Sequence, residues 1–240
     1  QKAIKKADKI INEYELISYN FLIENWKRRT QLHLNGHAKT QLEDMSEKLR
    51  EYELMNAYME AFGDILQFTK KWSAITSITQ LPESVQKILK NQPAASAPVK
   101  IRFFHLRLES IYLRLTRDYD TYLEKTEQTY ELSKSHVAFQ NEDIHIYTLE
   151  PLMEYCNALL NTGKMADFQK YIKKTTPYIV ASKMTISAEG KANIDAYINL
   201  MKSEYDRRNG RKGNYSEHVT TIENIRKNPE LHPSEALKNL

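Results

Sequence analysis

Two apolar stripes joined by a helix-ending turn constrain this chain more than any other feature. Between Leu149 and Ile179, the residues Leu152, Tyr155, Cys156 and Leu159 recur at steps of three, one and three, which is one face of a helix. Asn161-Thr162-Gly163 follows, and Asn and Gly end helices readily because they enter the left-handed conformation with little strain. Met165, Phe168, Ile172 and Thr175 then step by three, four and three, a second stripe facing the first. A helix pair with stripes this narrow cannot form a core alone and needs neighbours of its own kind. The expectation is an all-α protein of repeated helix pairs.

Similar pairs flank this one. Ile101, Phe104, Leu108, Ile111 and Leu115 mark a helix closed near Thr116-Arg117-Asp118, with Tyr119, Tyr122, Leu123, Thr126 and Tyr130 on its return partner. Ile194, Tyr197, Ile198, Met201 and Tyr205 mark another, ending in the glycine- and arginine-rich run 207–213. Tyr215, Val219, Ile222 and Ile225 form a last return helix, which Asn228-Pro229 ends.

Upstream, Ile4, Ala7, Ile11, Tyr14, Ile17 and Phe21 predict one long helix over 2–34, stopped by Asn35-Gly36. A second run starts near Thr40, where Glu43 completes a possible capping box, and meets no breaker before Gly63. Met45, Tyr52, Met59 and Leu66 fall seven apart, with Leu42 and Leu49 between them, in a heptad-like seam. Two readings compete: a hairpin of two long helices, or a repeat array with a bend near 51–55. The bend is preferred, because Lys71-Trp72-Ser73-Ala74-Ile75 resembles another repeat turn. Pro82, Pro93 and Pro98 bracket a short helix and an Ala/Ser stretch. The resulting division is N-terminal hairpins over 1–80, a linker or exposed loop over 81–98, helical repeats over 99–228 and a tail over 229–240.

Composition narrows the function classes. Only 6 Gly and 7 Pro among 240 residues favour long helices over a sheet with many turns, and 41% hydrophobic with 28% charged residues suits a packed core. Residues 1–98 hold 14 Lys and Arg against 12 Asp and Glu, and the remainder 21 against 19. Neither part is a basic module, so nucleic-acid binding gains no support from charge. The single cysteine, Cys156, excludes an internal disulfide framework and points to a reducing, cytoplasmic setting. No apolar run reaches the ~18–20 residues needed to span a bilayer. The chain does not begin with Met, so the expectation is of a trimmed N-terminus.

Turns aligned on Trp72, Tyr119, Met165 and Tyr215 are 47, 46 and 50 residues apart, a period that implies helix pairs stacked as a solenoid. Here the chain resembles the tetratricopeptide repeat family. Leu152, Tyr155, Cys156 and Leu159 match its first helix, with Cys156 at the small position, and Gly163-Lys164-Met165 matches its turn. Arg117-Asp118-Tyr119 and Gly213-Asn214-Tyr215 are similar turns. The family repeats at about 34 residues. This chain repeats later, and it carries Tyr122, Phe168 and His218 where the family has a small alanine. The resemblance implies a right-handed α-α superhelix whose first helices line a groove. Carried onto this chain, the groove positions are Phe103, Leu106, Arg107 and Ser110, then Glu150, Met153, Glu154 and Asn157, then Asp195, Ile198, Asn199 and Lys202. One subclass of the family clamps a terminal carboxylate there. Asn157 fits that clamp but Glu150 and Glu154 would repel an anion, so the expected ligand is apolar with a basic group, or another helix of the same full-length protein.

Chemical signatures are sparse. No glycine builds a phosphate loop after a strand, and Gly210-Arg211-Lys212-Gly213 reads better as a solvated turn than as an anion site. His33 and His37 have the four-residue spacing of helical metal ligands, but Gly36 lies between them and a surface pair is the better account. His105 with Glu109 reads as an exposed helical pair, and Asp143 ahead of His145 reads as a helix cap. Cys156 lies on the apolar stripe and reads as packing. Of the 15 tyrosines, most are expected in the core with the hydroxyl at its rim. No catalytic, cofactor or metal residues are expected. The first expectation is a non-catalytic scaffold binding a protein or peptide in its groove. The rivals are a regulatory segment acting with a nucleic-acid-binding or catalytic domain elsewhere in a larger protein, and an enzyme assembled from distant helices.

Overall fold

The computed structural model describes residues 2–13, 41–72, 74–139, 145–182 and 188–210, together with the single helical positions Tyr19 and Ile23. The helices are α1 (Lys2–Glu13), α2 (Gln41–Thr69), α3 (Glu83–Leu89), α4 (Val99–Thr116), α5 (Tyr119–Ser135), α6 (Glu150–Asn161), α7 (Met165–Ser182) and α8 (Ala188–Arg208). Short 3-10 turns occupy Ile78–Gln80 and Val137–Phe139, and a π-turn leads into α6 over His145–Leu149. No strand occurs among the described residues. The expected last return helix, the His33/His37 pair and the 229–240 tail lie outside them.

The pairs are set by their turns. At the end of α4, Asp118 N donates to Leu113 O at 3.0 Å and Arg117 N donates to Arg114 O at 3.2 Å. At the end of α6, Lys164 N donates to Leu159 O at 2.9 Å and Gly163 N donates to Leu160 O at 3.2 Å. Both sets are the paired bonds of a Schellman cap, with the turning residue left-handed: φ is 62° at Arg117 and 74° at Gly163. α8 also ends on a left-handed residue, Gly210 at φ 65°, whose N–H donates to Arg207 O. The three caps fall 46 and 47 residues apart, close to the period read from the turn residues. Asp118 then caps α5, its side chain accepting from Thr121 N.

Packing around α4 orders the rest. Ile101, Phe104, Leu108, Ile111 and Leu115 are buried as the stripe requires, but so are Phe103, His105, Arg107 and Ser110. α2 and α3 cover one side of α4 and α5 covers another, so no broad solvent face remains. One core joins α2, α3 and α4 through Tyr58, Ala61, Ile65, Val85, Ile88 and Phe104. A second joins α5, α6, α7 and α8 through Tyr122, Tyr130, Leu152, Phe168 and Ile198, with Leu113 of α4 in it and Tyr112 touching both. In α6 and α7 the expected stripes are the buried ones: Leu152, Tyr155, Cys156 and Leu159, then Phe168, Ile172 and Thr175.

Three expectations are corrected. α2 is continuous through 51–55, and Gly63 sits within it. A helical glycine costs about 1 kcal/mol, and the packing of Ala61 and Ile65 on either side offsets that. Segment 81–98 is not a free linker, because Leu81, Val85 and Ile88 belong to the first core; only its later part, around Asn91–Ser96, is largely exposed. Trp72 does not open a return helix. It is exposed and stacked on Phe68, and the chain runs on to tie Ile75 N to Leu115 O at 3.0 Å.

Leu152→Ala and Leu159→Ala should each lower the unfolding free energy by about 2–5 kcal/mol, the range for truncating a buried leucine. Lys164→Ala, in the exposed turn, should stay within about 0.5 kcal/mol. Urea melts followed by circular dichroism compare the three, and equal effects would place both leucines outside the core.

Candidate binding site

Arg107 is the most enclosed charge in the described structure, at 2% exposure. α4 carries it inward, where α6 presents Glu150 and Glu154 one helical turn apart. Its Nη2 lies 2.8 Å from Glu150 Oε2 and 3.0 Å from Glu154 Oε1. The guanidinium carbon sits 4.6 Å from the centre of the Phe62 ring on α2 and 5.8 Å from that of Phe103. Burial opposes the charge, but Glu154 and Glu150 outweigh it, so the guanidinium pKa is raised and the group stays charged. Nε and Nη1 have no hydrogen-bond acceptor among the described residues, and the aromatic faces are their environment.

A second polar group adjoins the first. Tyr122 OH donates to Glu154 O at 3.3 Å and receives Asn157 Nδ2 at 3.4 Å. Arg114 bonds Tyr197, whose hydroxyl burial pushes up to about 12, while burial raises Tyr122 still further. The seam between α4, α6 and α8 is therefore filled by the protein's own partners.

This divides the groove positions. Phe103, Arg107, Ser110, Met153 and Ile198 are buried and cannot line an open groove. Phe103 packs in a ring cluster with Phe104, Phe139 and Tyr147, and Ser110 Oγ donates back to Leu106 O at 2.7 Å. The stripe alignment put them in an open groove, yet their side chains pack against neighbouring helices. Leu106, Glu150, Glu154, Asn157, Asp195 and Asn199 are partly exposed, and Lys202 is exposed. Asn157 also receives Asn161 Nδ2 at 3.3 Å, so it is satisfied within α6 and α5 rather than offered as a clamp.

Open space lies elsewhere, including a cleft of about 450 Å³ between α2 and α3 beside Tyr58 and Ile88. A cleft of about 460 Å³ runs between α4 and α5 beside the 91–98 loop. Leu106, Leu132 and Pro93 supply its apolar surface, and Gln92, Gln128 and Ser135 supply amides and a hydroxyl. Lys125 Nζ pairs with Glu109 Oε2 at 3.1 Å across it. His105 also lines it, and the exposed pair with Glu109 expected from spacing is corrected: the imidazole is buried, its Nδ1 3.1 Å from Tyr58 OH on α2. Burial lowers the His105 pKa, Lys125 adds to that, and Glu109 opposes it. Position-by-position comparison at the repeat period would have found these groups, since Tyr58 with His105 and Arg107 with Glu154 are each 47 residues apart.

The remaining chemical candidates are internal. Cys156 is fully buried, and burial pushes its thiol up to about 12 against the pull of Lys174. Arg207 and Arg208 both bond Glu204, whose carboxyl the Arg207 hydrogen bond leads in holding down at about 2. Arg208 also donates to Leu160 O at the end of α6. Arg211 and Lys212 lie outside the described residues. No group of three metal-ligating side chains occurs among the described residues, and none of their helices is long and apolar enough to cross a membrane. The chain matches no protein-family model, no curated protein and no solved structure.

Two predictions follow the geometry. Glu150→Ala with Glu154→Ala strands a buried guanidinium and should destabilise by about 3–5 kcal/mol. Arg107→Leu should be milder, because the partly exposed carboxylates can be solvated in its absence; chemical denaturation measures both, and the reverse order would show that the pair is not what holds α4 to α6. For His105 the folded pKa lies below the unfolded value of 6.5, so the unfolded chain binds more protons and stability is lost as pH falls. Between about pH 7 and pH 5 the wild type should lose more stability than His105→Gln, and parallel slopes would assign no such role to this imidazole.

Proposed function

We propose that the chain is a non-catalytic scaffold of stacked helix pairs, arranged as a right-handed superhelix of the tetratricopeptide kind. It holds an extended segment of a partner protein in the cleft between α4 and α5. The recurrence of the left-handed caps at Arg117, Gly163 and Gly210 supports the stacking.

The observation that carries the binding role is the make-up of the cleft. An apolar floor at Leu106 and Leu132 is rimmed by Gln92 and Gln128, whose amides suit the donors and acceptors of a peptide main chain. The Lys125–Glu109 pair is partly exposed and can exchange partners with a charged side chain of the ligand. Glu150 and Glu154 already face Arg107, so the groove expected between the first helices has its charge answered internally. The non-catalytic reading is favoured by the buried, hard-to-ionise Cys156 and by a His105 whose partner, the Tyr58 hydroxyl, is pushed up to about 12 by burial.

The test is selection of short random peptides on the full chain, followed by affinity measurements on variants. Leu106→Glu should weaken the selected peptides by roughly tenfold or more, as loss of a central apolar contact does. Lys164→Ala, at a distant turn, should leave them unchanged. Peptides insensitive to Leu106→Glu and to Gln128→Ala would remove the cleft as the site.

A further inference from the structure

α2 has two faces with different fates. Tyr58, Ala61 and Ile65 turn into the core. Leu49, Tyr52, Asn56, Met59, Gly63 and Leu66 form a second row, with alternating steps of three and four that define a coiled-coil seam. This row faces solvent: Leu49 is 42%, Tyr52 38%, Met59 47% and Leu66 42% exposed, and Asn56 and Gly63 are exposed as well. From Leu49 to Leu66 it extends for about 25 Å at the helical rise. Single exposed apolar side chains are ordinary, but four of them spaced along one helix face at heptad intervals form a surface that another helix packs against.

The row also has features of a specific helix interface. Asn56 stands at a seam position, where a polar residue fixes register at some loss of stability. Gly63 has no side chain, and a Cβ built there meets nothing, so a second backbone can come close.

Charge names the occupant. Between Leu49 and Leu66 the helix holds Glu51, Glu53, Glu60 and Asp64 against Arg50 alone. Glu53 and Glu60 are exposed, seven residues apart, and edge the row on one side, while Met55 and Phe62 on the other side lean into the core. A second copy in the parallel register brings its residue 48, a lysine, to Glu53 but only Met55 to Glu60, and in the antiparallel register it sets the acidic edges against each other. We infer that this face of α2 docks an amphipathic helix of a partner protein, apolar at heptad spacing and carrying Lys or Arg at every seventh residue along one edge. The surface is separate from the α4–α5 cleft and does not depend on it.

The test uses the full chain and two synthetic three-heptad helical peptides with the same Leu/Ile seam and one central Asn, edged by Lys in one and by Glu in the other. Fluorescence anisotropy should give the Lys-edged peptide roughly tenfold tighter binding, with the difference shrinking as salt is added. Met59→Glu and Leu66→Glu, at exposed positions, should abolish binding of both peptides. The double variant Glu53→Lys/Glu60→Lys should reverse the preference. Equal binding of the two peptides, or a preference that survives the double charge reversal, overturns the inference. So does a dimer by light scattering that Met59→Glu dissociates, because the row is then covered by a second copy.

Discussion

A single guanidinium holds three helices in register. Arg107 leaves α4, reaches two carboxylates on α6 and lies under an aromatic ring of α2. Taking such a charge out of water is costly enough that the geometry around it has little freedom to drift. An apolar side chain of similar volume would fill the space, but it would accept many rotations of α6 about α4. The ion pair accepts few. The aromatic contacts of Phe62 and Phe103 add to the enclosure of the guanidinium.

That contact also repeats a pattern. Tyr58 meets His105 and Arg107 meets Glu154, each across one repeat period, so equivalent positions of successive first helices touch. The caps at Arg117, Gly163 and Gly210 keep the same interval. Upstream the pattern departs: after α2 the chain makes a 3-10 turn and the short α3 instead of a full return helix. The period therefore belongs to the contacts between units as well as to the turns within them.

Much of the fold was legible because narrow stripes bordered by turn residues leave few alternatives. The stripes of α6 and α7 and the turns at Arg117 and Gly163 lie where their spacing put them. What resisted reading was the enclosure of α4. His105 and Arg107 interrupt its apolar pattern and mimic a solvated face, yet both are buried because their partners lie 47 residues away on other helices. Phe103, Arg107, Ser110, Met153 and Ile198 turned inward for a related reason, since a stripe tells which residues face inward but not how closely the next helix will approach. The α4–α5 cleft had no sequence signal at all, because it is a gap between helices rather than a property of either. The heptad row of α2 was visible as spacing; that it faces outward depended on which side Tyr58 and Ile65 claim.

Cys156 has a use that its chemistry alone does not suggest. It is the only thiol in the chain, it lies in the middle of α6, and no water reaches it in the folded state. A thiol-specific reagent can therefore modify the protein only through molecules in which α6 has come away from α5 and α7. The labelling rate then reports the population of that opened form at one site, without any introduced probe. Such a clock in α6 would distinguish opening around that helix from fraying of helices farther along the chain.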